Sequence, residues 1–184
     1  MLFITNRFPQ EGPSSKEGIN KSRGRDFNFE LDENAPSNSV FFCQRQKKNT
    51  YREIGSDAFL TELKECRYRQ LLIYVHGFSN LPESVFRDAA EFQRLCNKAR
   101  QNEVLVIPLI WPCDNDKGIV KDYWDDQKSA DMSAFSFARV LQKFIEWRNS
   151  DTLNPEADPC LKRINMLAHS MGNRVLRQTL AAWV

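Results

Sequence analysis

Three short apolar runs constrain this chain more than anything else in it: "LFIT" at 2–5, "LLIYV" at 71–75 and "VLVIPLIW" at 104–111. None is broken by polar alternation. A strand with one wet face alternates, whereas a strand covered on both faces, as in a parallel sheet packed between helices, need not. The intervening segments supply the cover. From Pro82 to Arg100, residues Val85, Phe86, Ala89, Phe92, Leu95, Cys96 and Ala99 recur at helical spacing, with Asn80 and Glu83 as an N-terminal capping pair. A second helix is predicted from about Ala130 to Asn149, with Ala134, Phe137, Leu141, Phe144 and Ile145 on one stripe. A strand at 164–168 leads into a third helix from Met171, and Phe59, Leu60 and Leu63 predict a shorter one over Gly55 to Cys66.

Residues 68–184 therefore read as βαβαβα, with right-handed crossovers over a parallel sheet. Residues 1–45 read as β-rich. There "DFNFELDE" alternates and predicts a half-exposed strand, "SVFFCQR" predicts another, and "PQEGPSSKEGINKSRGR" before them is a long loop. The expectation is a single α/β domain over 1–184, mostly parallel in its sheet, with helices on both faces in three layers.

Composition narrows the function classes. The 26 Lys and Arg against 24 Asp and Glu leave a net charge of +2, so no nucleic-acid partner is expected. The basic cluster of Arg45, Lys47, Lys48 and Arg52 reads as a solvated loop. The five cysteines, Cys43, Cys66, Cys96, Cys113 and Cys160, include no CxxC pair. Reduced thiols in a cytoplasmic protein are expected, with no zinc site and no cofactor. No apolar run approaches the roughly 20 residues of a membrane span, and "MLFITNRFPQ" lacks the features of a signal peptide.

Chemistry concentrates at "INMLAHSMGNRVL", residues 164–176. Ala168-His169-Ser170-Met171-Gly172 has the spacing of a nucleophile elbow, with Ala in the place of the first glycine. A backbone that doubles back from strand to helix within a few atoms needs small residues two before and two after the apex. The apex serine is then held strained and exposed at the positive end of the helix. The second element is "IYVHGFSN", residues 73–80. Gly77 lets that loop turn close, so the Phe78 N–H can face developing negative charge on a substrate oxygen. The Met171 N–H is the second donor. Such a pair is an oxyanion hole, and losing one donor typically costs about 10²–10³ in rate. The His76 side chain is read as supporting the loop, not as a base.

With "FITNR" at the start, "IWP" at 110–112 and the spaced Tyr123, Asp126, Ala130 and Ser133 at the head of the next helix, these motifs run along nearly the whole chain. Together they resemble the α/β-hydrolase superfamily, and within it a widespread bacterial branch with no settled substrate. The resemblance implies an eight-stranded, mostly parallel sheet, an acyl-ester substrate of small size, and esterase- or lipase-like hydrolysis. It also implies a Ser–acid–His triad in that chain order, with Ser170 as nucleophile.

Here the sequence departs from the pattern. Val184 stands one helix past the serine, so within 1–184 nothing after the elbow supplies the acid or the histidine. Of the two histidines, His76 belongs to the oxyanion loop, and His169 adjoins Ser170 and is expected to leave the elbow in another direction. Asp114, after "IWP", is read as a loop residue, since an acid without its histidine orients nothing.

The expectation is an incomplete, truncated α/β-hydrolase fold, inactive as this chain alone. Its "INMLA" strand would form a cut sheet edge prone to self-association or to pairing with a complementing partner. The rivals are an acyltransferase using the same elbow and a non-catalytic α/β module that binds a partner. The coding sequence beyond codon 184 discriminates between them.

Overall fold

The computed structural model describes residues 1–11, 24–32, 34–113, 119–150 and 162–183. Most of the loop expected over 9–25, with Asp114 and Cys160, lies outside them. Among the described residues seven strands form one sheet. They are β1 (Leu2–Arg7), β2 (Arg25–Phe27), β3 (Pro36–Lys47), β4 (Thr50–Glu53), β5 (Gln70–Val75), β6 (Val104–Ile110) and β7 (Arg163–Ala168). The helices are α1 (Gly55–Glu65), α2 (Pro82–Ala99), α3 (Ile119–Ser150) and α4 (Gly172–Trp183). The strand order is β2-β4-β3-β1-β6-β5-β7. Strands β1, β6, β5 and β7 run parallel, and β3, β4 and β2 continue the sheet through antiparallel ladders. The sheet is mostly but not entirely parallel, and the chain is of the α/β class.

Two cores sandwich the sheet. On one face Ile4, Ile73, Val75 and Leu109 pack with Phe59 and Leu63 of α1, Phe137 and Phe144 of α3, and Val175 of α4. On the other, Val85, Phe86 and Ala89 of α2 cover Phe3, Tyr74, Val106 and Ile110. An aromatic cluster extends this second core, with Phe3 and Phe86 at 4.9 Å and Phe29 and Tyr51 at 4.9 Å between ring centroids. Each such side chain contributes about 1.5–3 kcal/mol when fully buried. Among the described residues, no helix is long and apolar enough to cross a membrane.

Several local expectations need correction. Helix α3 begins well before Ala130, because its first turns bury Asp122, Asp126 and Ser129, which hydrophobic periodicity does not register. Ile145 is exposed rather than on the buried stripe, and on α2 Leu95 and Ala99 are exposed while Val85, Phe86 and Ala89 are buried. Strand β4 is an addition to the expected elements; the chain reverses at Asn49, whose φ of 52° is one that asparagine tolerates. The pair Asn80 and Glu83 does not cap α2, whose N-terminal residue Leu81 makes no side-chain cap and is followed by Pro82. Glu83 instead accepts hydrogen bonds from Arg45 (2.8 Å), Tyr51 (2.5 Å) and the Asn49 N–H (3.2 Å). Burial alone would raise the Glu83 pKa, but these donors bring it to about 2. Arg45 is therefore a paired strand residue of β3, not part of a solvated loop.

Strand β7 lies at one edge of the sheet. Ile164, Met166 and Ala168 pack toward the α3–α4 face, while Arg163, Asn165 and Leu167 are exposed. A flat edge without proline recruits other chains. In light scattering at tens of micromolar, chain 1–184 is expected to exceed its monomer mass, and Leu167→Lys to shift it back toward monomer. A stable wild-type monomer would overturn this expectation.

Candidate active site

Register brings the two motif loops together. Strand β5 pairs with β7 from Gln70↔Arg163 to Val75↔Ala168, so the loops leaving their carboxyl ends are neighbours. The His169 N–H donates to Val75 O (3.0 Å) and continues the ladder into the elbow. A Cβ at Gly77 would stand 3.0 Å from Ser170 Cβ and 3.1 Å from His169 Nδ1. A Cβ at Gly172 would stand 2.5 Å from both the Val75 and the His76 carbonyl oxygens. Glycine at 172 is thus a condition for α4 to press its first turn onto the end of β5, and glycine at 77 for Ser170 to come so close. Ser170 has a φ of 51°, in the left-handed region that non-glycine residues rarely occupy, and its side chain is exposed. Met171 is buried behind it.

Two peptide planes then decide where the nearby N–H groups point. Gly77 O accepts from His76 Nδ1 (2.8 Å) and Asn80 Nδ2 (3.2 Å). In a trans peptide the C=O and the following N–H point opposite ways, so anchoring this oxygen turns the Phe78 N–H outward. Ser170 O likewise accepts from the Asn173 N–H (3.0 Å) and Asn173 Nδ2 (3.1 Å), which turns the Met171 N–H away from the helix. Neither the Phe78 nor the Met171 N–H has an acceptor among the described residues, and the Ser170 hydroxyl has no hydrogen-bond partner there either. Two open donors beside an exposed hydroxyl, at the positive end of a helix, suit a tetrahedral oxyanion.

His76 is buried and its ring stacks on Trp111, with centroids 5.2 Å apart and planes at 9°. The Trp111 N–H donates to Nε2 (3.2 Å), so the ring proton sits on Nδ1, where it reaches Gly77 O. Both ring nitrogens are therefore engaged. Burial lowers the His76 pKa to about 4, with the Arg7 charge adding to the effect. His169 is exposed, its ring has no hydrogen-bond partner among the described residues, and no hydrogen bond joins it to Ser170. Its Nδ1 and the Ser170 Cβ both border the position a side chain at Gly77 would fill.

The support extends back to the first strand. The buried Arg7 donates to Cys113 O (2.7 Å) and Glu30 O (2.8 Å), and Thr5 Oγ1 donates to Ile110 O (2.8 Å). "FITNR" thereby holds "IWP", and Trp111 holds His76, donating from its indole N–H to His76 O (2.9 Å) as well. Sequence reasoning gave no role to Trp111, Asn80 Nδ2 or Asn173 here. The signal present for Trp111 was its place in "IWP", directly after a parallel strand.

Among the described residues no cluster of His, Cys, Asp and Glu is placed to hold a metal ion, and Cys43, Cys66, Cys96 and Cys113 are free thiols. Two clefts lie away from the serine. One, of about 510 Å³, is bordered by Arg69, Glu103 and Arg163; the other, of about 350 Å³, by Phe29, Tyr51 and Pro82.

The state of His76 has a consequence for stability. An unfolded histidine titrates near about 6.5, so between there and the folded value of about 4 the unfolded chain holds more protons. The contribution is complete above about pH 6.5 and falls as pH drops toward 4, by about 3 kcal/mol at most. Urea unfolding from pH 7 downward is expected to show this slope. A His76 ring that titrates near 6.5 in the folded protein, followed by NMR, would contradict it.

No curated protein and no solved structure matches this chain. One family model, described as "Alpha/beta hydrolase of unknown function (DUF900)", matches residues 53–183. That range takes in β5 to β7, all four helices, and both loops of the site. The chain therefore belongs to this α/β-hydrolase family of unknown function.

Proposed function

We propose that this chain carries the nucleophile and the oxyanion donors of a serine hydrolase acting on small acyl esters. Ser170 Oγ attacks the carbonyl carbon, and the Phe78 and Met171 N–H groups bind the oxygen as it becomes negative. The observation that carries this reading is the pair of outward, unpartnered N–H groups beside a serine held at φ 51°. A turn that only links strand to helix does not need its apex serine in that region, where residence costs of order 1–3 kcal/mol.

The attack releases a proton, and the base is the part this chain does not visibly supply. His76 is buried and neutral with both nitrogens engaged, and His169 makes no hydrogen bond to Ser170. The serine stays a neutral hydroxyl, a weak nucleophile near pH 7. Binding and an oxyanion hole alone leave an acceleration of roughly 10³–10⁴ over water. In this reading neither His76 nor His169 is the base.

Chemical rescue tests the reading. Purified 1–184 with a short-chain nitrophenyl ester is expected to show little turnover alone. Added imidazole, acting as the missing base, should raise the rate above that of Ser170→Ala in a saturable way. A rate identical in wild type and Ser170→Ala at every imidazole concentration would favour a non-catalytic, partner-binding module. Strong Ser170-dependent turnover without imidazole would point to a base within the chain, and loss of it in His169→Ala would name that base.

A further inference from the structure

Four residues singled out by their spacing, Tyr123, Asp126, Ala130 and Ser133, stand on α3 outside the chemistry proposed above. Asp126 is buried; its carboxylate hydrogen-bonds the Cys113 thiol, and its two oxygens also reach two more distant segments. Oδ2 accepts from the Ser79 N–H (2.8 Å), and Oδ1 accepts from Asn34 Nδ2 (2.8 Å). Ser79 is the residue after Phe78 and has a φ of 57°, a second non-glycine residue in the left-handed region. Such a conformation persists only where the surroundings hold it. The holders are on the page. Asn80 Nδ2 takes the Phe78 carbonyl (2.9 Å), Asp126 takes the next N–H, and the exposed Tyr123 ring packs edge-on against Phe78 at 5.7 Å.

The carboxylate meets what this position needs. A backbone N–H aimed at a buried charge makes a short, strong bond that water does not compete for. The fixed Ser79 N–H sets the plane of the 78–79 peptide, while His76 and Asn80 set the plane of the 77–78 peptide through Gly77 O. Between them the backbone of Phe78 is fixed on both sides. The same helix also reaches the other donor. Asp131, one and a half turns on, pairs through both oxygens with Arg174 of α4 (2.6 and 2.8 Å), three residues after Met171.

We propose that Asp126 is a positioning residue, whose buried carboxylate holds the Ser79 N–H and thereby aims the Phe78 N–H at the oxygen of an ester attacked by Ser170. This rests on the function proposed above. The loop-holding part, however, has a readout that needs no activity.

Amide hydrogen exchange in chain 1–184 supplies that readout. The Ser79 amide should be protected in the wild type and exchange at least tenfold faster in Asp126→Ala. It should regain protection in the exchanged pair Asn34→Asp with Asp126→Asn, where the amide placed on α3 again accepts from Ser79 and donates to the carboxylate placed opposite it. The second readout is the imidazole-supported, Ser170-dependent ester rate. Asp126→Ala should lower its maximum by about 10- to 100-fold. The half-saturating ester concentration should stay within about twofold, and the exchanged pair should restore most of the rate. Should Asp126→Ala fail to fold, Asp126→Leu, close in volume and without an acceptor for the Ser79 N–H, carries the comparison with the exchanged pair. An unprotected Ser79 amide in the wild type, or a maximal rate unchanged in a folded Asp126→Ala, overturns the proposal. Expected exchange behaviour with no Ser170-dependent rate in the wild type would instead sink the esterase reading and leave the hold of Asp126 on the loop standing.

Discussion

A helix can press its first turn onto the end of a neighbouring strand only where the residue at the contact has no side chain. In this protein that contact is Gly172 against the Val75 and His76 carbonyls, where even a methyl group would come within 2.5 Å of two oxygens. The rest of the site depends on it. Because α4 starts there, the elbow before it must reverse within three residues, which forces Ser170 to its φ of 51°. Because β7 is in six-residue register with β5, the reversal happens beside Gly77 and not a turn away. The absence of a side chain at both glycine positions is a steric requirement of this approach, independent of any chemistry performed there.

Aiming follows from a different constraint, the rigidity of the peptide group. A backbone N–H has no rotor of its own, and its direction is that of a plane whose other end is a carbonyl. Both open donors near Ser170 have that other end tied down, Gly77 O by a histidine and an asparagine, Ser170 O by Asn173 twice. This explains why His76 has to be neutral. A protonated ring would have two donors and no acceptor, and Nε2 would meet the Trp111 N–H with nothing to offer it. Burial against Trp111 disfavours that state, and the His76 pKa falls to about 4. The loop-supporting role read for His76 in the sequence takes a specific form here, a neutral ring with both nitrogens engaged.

The parts of this arrangement that could be read in the sequence are those written in apolar spacing or in small residues. The runs that became β5 and β6, the stripe of α2, and the turn around Ser170 all follow from hydrophobic burial or from close approach, and both leave a local signature. The parts that could not be read are polar and non-local. The first third of α3 leaves no apolar stripe because the face it buries is Asp122, Asp126 and Ser129; only the resemblance placed Tyr123 and Asp126 at a helix head. Glu83 sat at a good capping distance from Asn80 in the sequence, yet a tyrosine and an arginine from the β3–β4 hairpin draw it away from the helix end, and nothing local announces them. Strand β4 is too short for its alternation to count. The family resemblance drew attention to Asp126 without giving it a reason, and the reason lies in Ser79, distant in sequence.

The buried polar residues at the carboxyl ends of the parallel strands share one physical character. Arg7, His76 and Asp126 are all out of water, and each hydrogen-bonds backbone groups of the site. Taking a guanidinium or a carboxylate out of water is expensive, and the partners gained rarely return more than the loss, so such groups are poor sources of net stability. What they provide is direction. A charge-assisted bond in a low-dielectric interior tolerates little deviation in length or angle, and salt does not screen it as it screens a surface pair. The line from Arg7 through Cys113, Trp111 and His76 to Gly77, together with that from Asn34 through Asp126 to Ser79, ends from two sides on the backbone of Phe78. Motifs scattered over more than a hundred residues of sequence thus converge on the orientation of one N–H group, which is the kind of accuracy that apolar packing alone does not impose.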